Sequence, residues 1–389
     1  MKVLYLTPGD PRTTPLLWSG TALAILRATE ACGHTVEVET IPHTKSEMVG
    51  DLKWHTYRTM GKQFLTDADP LVRGGWYRSL QKRLRGRAFD AVVSWHPWAT
   101  LLVPGSCPRV FWYDTTFIET QPIYYPRVTA SSYRRALALD REAVHTATAV
   151  YCSNASRLSA IRHYDADPAR VHTVPFGANL SHVPSSDRIA TAIETRVQRR
   201  AGRDLKLLFV GFDWRRKGGS VAIDVTEHLR SRNFNATLTV VGSTPELNDA
   251  QRSYVHLEGR LNKNDPADLQ RLSELYLSAD YFFMTSHGES FGIVYCEAMA
   301  HGVPSIAANV GGVGTIVRDG ETGMLFDWSD DLATSIVERI CREYDDDNAY
   351  RAMCERCVAR YNDTFNWNAA GKHFDEILRN AVVSYAGGA

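Results

Sequence analysis

The sequence predicts an α/β fold built from two doubly wound, Rossmann-like domains. Three observations carry that reading. Short, nearly all-apolar segments alternate with longer helical ones, as parallel strands covered by helices on both faces do. The rhythm stops in a polar stretch at 184–203 and then restarts. The 389 residues also exceed what one ordinary core organises.

In the first half the strand candidates are 2–7, 35–41, 89–95, 110–113, 149–153 and 171–174, with helical segments such as 21–32 and 134–145 between them. In the second half they are 205–211, 236–242, 255–258, 281–285 and 305–308. The boundary falls near Pro175-Phe176-Gly177-Ala178. The stretch 184–203, rich in Ser, Asp, Arg and Thr, reads as a linker running into an exposed helix. The expected domains are therefore 1–180 and 181–366. A C-terminal amphipathic helix, 367–389, is expected to pack back on the first. Two such domains facing each other make a central cleft, and ligands of doubly wound sheets sit outside the carboxyl ends of the strands.

Composition narrows the partners. With 44% hydrophobic and 23% charged residues the chain is of the globular class. Lys+Arg and Asp+Glu are both 44, so the formal net charge is zero, which argues against a nucleic-acid partner. No apolar run reaches membrane-spanning length. The opening Met1-Lys2-Val3-Leu4-Tyr5-Leu6-Thr7-Pro8 is broken too soon for a signal peptide and reads as a first strand. Seven scattered cysteines read as reduced thiols of a cytoplasmic protein. Cys354-Glu355-Arg356-Cys357 has CxxC spacing, but no second pair or His cluster completes a zinc site. Residues 76–87 carry five positive charges, with Trp76, Leu80 and Leu84 along one helical face. Such a helix suits an anionic membrane surface or, equally, a solvated helix packed by those three residues.

Two stretches carry chemistry. In Val210-Gly211-Phe212-Asp213-Trp214-Arg215-Arg216-Lys217-Gly218-Gly219 a buried strand ends, and a basic, glycine-bearing loop runs into a helix. Backbone N–H groups, the helix dipole and Arg/Lys charge together suit a diphosphate. A basic but merely solvated βα loop is the alternative. In Ser286-His287-Gly288-Glu289-Ser290-Phe291-Gly292 a strand again runs through a loop into a helix, here expected over 291–301. Glu289 precedes that helix and Glu297 lies inside it, eight positions on. Carboxylates are good acceptors for vicinal hydroxyls, so the pair suits the two ends of a nucleotide sugar. The alternative is a helix-start charge at Glu289 and a surface Glu297.

The run E-x-F-G-x-x-x-x-E-A-M-A-x-G-x-P, followed by Gly311-Gly312 and Asp319-Gly320-Glu321-Thr322-Gly323, resembles the donor-site signature of retaining glycosyltransferases of the GT-B fold, glycosyltransferase family 4. Gly211 with Lys217-Gly218 resembles that family's phosphate loop. Tyr276-Leu277-Ser278-Ala279-Asp280, Val174-Pro175-Phe176-Gly177 and Asn366-Trp367 resemble the segments before the donor strand, at the interdomain junction and at the closing helix. The resemblance covers the C-terminal half almost throughout and the N-terminal half loosely. It implies transfer of a hexose from a UDP- or GDP-sugar to a hydroxyl of a glycan, glycolipid or small molecule, with retention and without metal or cofactor. Polysaccharide biosynthesis, with peripheral contact at the inner membrane face through 76–87, is the setting it suggests.

Carried over residue by residue, the resemblance makes Lys217 and Arg216 the diphosphate ligands and Glu289 the contact to the transferred sugar, these three being catalytic. Glu297 would hold the ribose, and the amides of Phe291, Gly292, Ile293 and Val294 would meet sugar and phosphate. Arg260 and Leu261 would sit near the base. Two positions depart from the family. Phe212 stands where an arginine is common. The first loop, Trp18-Ser19-Gly20-Thr21, has one glycine where two are usual. Gly20 still lets backbone amides approach phosphate, or simply serves the turn.

The N-terminal half should take the acceptor. His96 and Asp114 follow strands and are the candidates to orient a hydroxyl, with local capping as the alternative for each. Of the neighbouring aromatics most belong to the core. Asp345-Asp346-Asp347 reads as solvated surface. Two other classes share parts of this pattern. A sugar-nucleotide epimerase of the same fold needs catalytic carboxylates in both domains, and a non-catalytic binding protein would lack Lys217 or Glu289. A hydride-transferring enzyme would want G-x-G-x-x-G in the first βα turn, which Gly9…Gly20 does not supply.

Overall fold

Val3, Leu4, Tyr5 and Leu6 are fully buried in succession, as a strand covered on both faces requires. The same holds for Val92 and Val93, and for Phe282, Phe283 and Met284. In the computed structural model, which describes residues 1–103 and 107–387, these runs are the centres of two parallel sheets. The chain divides into two compact units: Met1–Asn179 together with the chain from Trp367 on, and Leu180–Asn366.

The N-terminal unit holds β1 (Lys2–Thr7), β2 (Thr35–Thr40), β3 (Ala91–Ser94), β4 (Arg109–Tyr113), β5 (Thr148–Tyr151) and β6 (Val171–Thr173), in the spatial order β2-β1-β3-β4-β5-β6. The order reverses between β1 and β3, where a doubly wound sheet opens a crevice. Its C-terminal helix, Trp367–Gly387, lies on helix Thr21–Ala31, with Gly371 against Ala28. Trp112 stacks on Phe374 at 4.6 Å, and Asp375 meets His34 at 2.6 Å. The last two positions of the helix predicted over 367–389 lie outside the described residues.

The basic helix runs Pro70–Leu84, N-capped by Asp69. Trp76, Leu80 and Leu84 are buried in the cluster that includes Leu4, Leu6 and Val92. The apolar stripe that would meet a bilayer is thus used in the core. Arg83 pairs with Glu39, and Arg87 with Glu37 and Glu39. Among the described residues no helix is long and apolar enough to cross a membrane.

The C-terminal unit holds β7 (Asp204–Val210), β8 (Asn235–Val241), β9 (Val255–Gly259), β10 (Tyr281–Met284), β11 (Ser305–Ala308) and β12 (Gly323–Phe326), ordered β12-β11-β10-β7-β8-β9. Here the reversal lies between β7 and β10. In the stretch 184–203 the expected helix is present, as Ser186–Arg200 N-capped by Ser185, but it takes up nearly the whole stretch and is not merely exposed. Its i, i+4 apolar positions Ile189, Ile193 and Val197 are buried, and burial overrides the polar composition. Arg196, fully buried, donates to the carbonyls of Ala279 (3.0 Å) and Gly302 (2.8 Å). Arg199 holds the buried Asp280 carboxylate at 2.7 Å.

Asp345 and Asp346 are exposed and Asp347 is half-exposed, as the solvated reading expects, but two of the three also have structural partners. Asp346 caps helix Asp347–Asp363 through the Ala349 amide, and Asp347 pairs with Arg200. Cys354 and Cys357 are buried in that helix, and burial raises both thiol pKa values.

Candidate functional site

β7 and β10 are neighbours at the reversal of strand order, so their following loops leave in opposite directions and bracket one crevice. The β7 loop is folded tightly. Lys217 N donates to Asp213 O and Gly219 N to Trp214 O, which brings Lys217 back over the strand end. A methyl group at Gly211 would press on the Lys217 stem at 2.5 Å. Absence of a side chain at Gly211 therefore sets where the ammonium stands.

Lys217 Nζ lies 3.1 Å from Glu289 Oε2 and 3.4 Å from Met284 Sδ. Arg216 donates to Gly288 O at 2.8 Å and to Asp213 at 3.2 Å, with its guanidinium 3.7 Å from Glu289. The His287 amide donates to Arg216 O at 2.7 Å, tying the two loops together. Glu289 is 8% exposed, while the Arg216 and Lys217 side chains are half-buried, so the three charges share a corner partly shielded from water. Coulomb interactions count for more there than at an open surface.

After Glu289 the chain turns through Gly292 into helix Ile293–Ala300. The helix starts two residues later than the sequence reading because Gly292 has φ +89°, outside helical space, and a Cβ there would strike the Tyr295 ring. Gly311, at φ +51°, lets its backbone pass directly against Glu289 O, where a side chain has no room. The first amides of the helix lack carbonyl partners within it and form a ready anion site.

Glu297 is not the surface residue of the alternative reading: it is fully buried. Its carboxylate takes an ion pair from Lys263 and the Tyr276 hydroxyl at 3.4 Å, and its own carbonyl meets His301 Nδ1 at 2.8 Å. Burial holds the His301 pKa down at about 4, so its ring is neutral. Arg260 lies over the Phe212 ring at 5.0 Å, and Phe212 is 66% exposed. Leu261 follows in the same loop after β9.

Three residues that sequence reasoning missed join this group. Lys263 was hidden in a loop with no periodic signal. Ser290 sits inside the glycine-bearing turn, and its hydroxyl is buried with no hydrogen-bond partner among the described residues. Trp328, just past β12, stacks on His287 at 3.8 Å and donates to Ser286 O at 2.8 Å. That stack fixes the loop before Glu289.

Gly20, His96 and Asp114 lie in the N-terminal unit. Trp18, Ser19 and Gly20 all have positive φ (51°, 57° and 90°). Packing holds this turn in place. Trp18 stacks on Trp95 at 4.9 Å, and Asn179 donates to Ser19 O at 2.8 Å. Asp114 Oδ1 accepts from the next amide, Thr115 N, at 2.9 Å, the local cap of the alternative reading.

His96 follows β3, with Trp98 Nε1 donating to its Nε2 at 3.1 Å and the Tyr113 hydroxyl 3.5 Å away. Its Nδ1 is buried with no partner among the described residues. Burial, helped by Arg73, pushes its pKa down to about 3. The folded protein thus holds a neutral imidazole, while the unfolded chain takes up a proton below about pH 6.5. Stability supplied by His96 is complete above that pH and is lost as the pH falls toward 3. In urea titrations at pH 7 and pH 5 the wild type should lose more stability on acidification than His96→Gln. Equal losses would refute the assignment.

Residues 204–346 match the model of the family described as Glycosyl transferases group 1. A D-inositol 3-phosphate glycosyltransferase of Corynebacterium glutamicum (strain R) is 32% identical over 242 residues, 58% of this chain and 55% of that protein. The chain spans about half the length of the curated relatives it matches. Among solved structures, sucrose-phosphate synthase from Thermosynechococcus elongatus aligns with TM-score 0.67 at 18% identity, covering 99% of this chain and 100% of that one. Anabaena HepE in complex with UDP and glucose aligns with TM-score 0.61 at 17% identity, covering 97% and 99%. The fold is the GT-B α/β fold of glycosyltransferase structures.

Proposed function

We propose that the protein is a retaining glycosyltransferase that moves a hexose from a UDP- or GDP-sugar to a hydroxyl group, with no metal or cofactor. The observation that carries this is the contact of Lys217 with Glu289, flanked by Arg216, at the strand-order reversal beside the Gly292 helix start. A diphosphate and a sugar need complementary charges in one corner, and this corner supplies both. The match over 204–346 supports the reading, since it spans both loops.

In this mechanism the donor diphosphate takes the place at Lys217 and Arg216 and against the amides of Phe291, Gly292, Ile293 and Val294. Glu289, released from Lys217, accepts hydroxyls of the transferred sugar. Glu297 takes the ribose hydroxyls, with Arg260 and Leu261 near the base. Gly211 acts by leaving the strand end clear for Lys217 and the phosphates. The acceptor oxygen forms its bond to the anomeric carbon on the face from which the diphosphate departs. The acceptor proton passes to a leaving phosphate oxygen, so no protein base is needed. Lys217 and Arg216 stabilise the charge that develops on the leaving group.

The acceptor side belongs to the N-terminal unit, with His96 and Asp114 the residues offered to it. The name of the Corynebacterium relative supports a small-molecule acceptor over a polymer. Purified protein titrated with UDP- and GDP-hexoses by calorimetry, then assayed for nucleotide release with and without EDTA, tests the reading. Binding and EDTA-insensitive release are expected with at least one donor. Absence of both with every donor would sink it.

A further inference from the structure

His287, in the loop before Glu289, has no part in the donor chemistry above. It is exposed, yet one face of its ring is covered by Trp328. Resting on the glycosyltransferase reading, we infer that Trp328 is a positioning residue for sugar transfer, which acts through His287 to hold Arg216 in place beside Glu289. His287 serves in this by its ring face and not by its proton.

The contacts all lie within the C-terminal unit. An arginine side chain has much rotamer freedom to lose, so it must be fixed before a diphosphate arrives if its charge is to count. Residues 287 and 288 fix it at both ends. The His287 amide donates to Arg216 O at 2.7 Å, and the Arg216 guanidinium donates to Gly288 O at 2.8 Å. Asp213 adds a contact at 3.2 Å, but its carboxylate is exposed. Where 286–288 stands therefore decides where Arg216 stands.

Trp328 grips that segment from the other side. Its Nε1 donates to Ser286 O at 2.8 Å. Its ring lies on the His287 ring with centroids 3.8 Å apart and planes 14° apart. Trp328 itself stands on a firm base. Asn309, just past β11, donates from its amide to Phe326 O at 2.7 Å and from its side chain to Asp327 at 3.0 Å. In the strand order β12-β11-β10-β7 these contacts make a brace across four strand ends. The later part of the loop has its own support, since Gly312 N donates to Ser290 O at 3.1 Å. Loss of Trp328 thus frees 286–288 and Arg216 while the turn into helix Ile293–Ala300 keeps its tie. A parallel stack uses ring faces, which a phenyl ring supplies as well as an imidazole. A role for His287 as proton donor, or as sugar ligand through a nitrogen, would not survive that exchange.

The test follows nucleotide release by the full chain with UDP- and GDP-hexoses, at a temperature where circular dichroism shows every variant folded. Trp328→Ala and His287→Ala should each lower kcat by about 10-fold or more, the scale of a slightly misplaced charge. Donor KM should change less, because Lys217 still binds the diphosphate before charge develops on it. His287→Phe should keep most of kcat. Trp328→Phe should lose less than about 10-fold, since one neutral hydrogen bond goes and the stack stays. Added to Arg216→Ala, Trp328→Ala should cost little more, as expected of a residue that works through Arg216. A His287→Phe enzyme as slow as His287→Ala, a Trp328→Ala enzyme with unchanged kcat, or full additivity with Arg216→Ala would each overturn the inference. A wild type that releases nucleotide from no donor strikes at the reading beneath it, and the inference falls with that reading.

Discussion

Lys217→Ala is expected to lower kcat/KM for sugar transfer by about 10²–10³-fold, the usual effect of removing one preorganised charge from a developing anion. The loss should fall on kcat as much as on donor affinity, because the charge on the diphosphate grows as the glycosidic bond breaks. Lys217 is the nearest cation to Glu289 in this corner, with Arg216 0.6 Å farther off (3.7 against 3.1 Å). Glu289→Gln, which keeps the shape, should cost a comparable factor by weakening the grip on sugar hydroxyls. Asp345→Ala, at an exposed position, should leave turnover unchanged. Steady-state kinetics on the three variants, with thermal melts alongside, decide the matter. A Lys217→Ala enzyme within about threefold of wild type would remove the basis for the proposed diphosphate site.

Lys263→Ala is expected to destabilise the protein by about 2 kcal/mol. Removing one partner of a fully buried pair costs about 3–5 kcal/mol, and water around the 31%-exposed Lys263 screens part of that. Glu297 would then be left buried with only the weak Tyr276 hydroxyl contact. Lys263→Met combined with Glu297→Leu should recover most of that stability, since both charges go together. The double variant should nevertheless bind donor nucleotide at least about 10-fold more weakly, if Glu297 holds the ribose. Denaturant titration and nucleotide calorimetry on the single and double variants separate the two roles. Recovery of both stability and binding would reduce Glu297 to a structural residue.

The strands were legible because burial on both faces makes them nearly continuous apolar runs. β12 escaped because Gly323-Met324-Leu325-Phe326 begins with the glycine of a turn motif. The loops after β7 and β10 were legible because glycine and charge together mark a place where backbone meets an anion. Their direct contact through Lys217 and Glu289 was not, since it depends on β7 and β10 being neighbours across some seventy residues of chain. Lys263 and Trp328 were missed for the same reason: their partners, Glu297 and His287, are far along the chain. The stretch 184–203 misled because arginine is normally a surface residue. Arg196 is fully buried, satisfied by two carbonyls that no sequence pattern reveals.

Arg196 also bears on where this chain can be cut. The family match starts at Asp204, at the first residue of β7. A fragment starting there would discard helix Ser186–Arg200, leaving the carbonyls of Ala279 and Gly302 and the Asp280 carboxylate buried without those partners. It would also strip the cover from the apolar faces that Ile189, Ile193 and Val197 protect. A transplantable donor module must therefore begin before Ser185 and run through helix Asp347–Asp363, whose Arg351 pairs with Glu194. In this chain the inheritable piece is larger than the recognisable one.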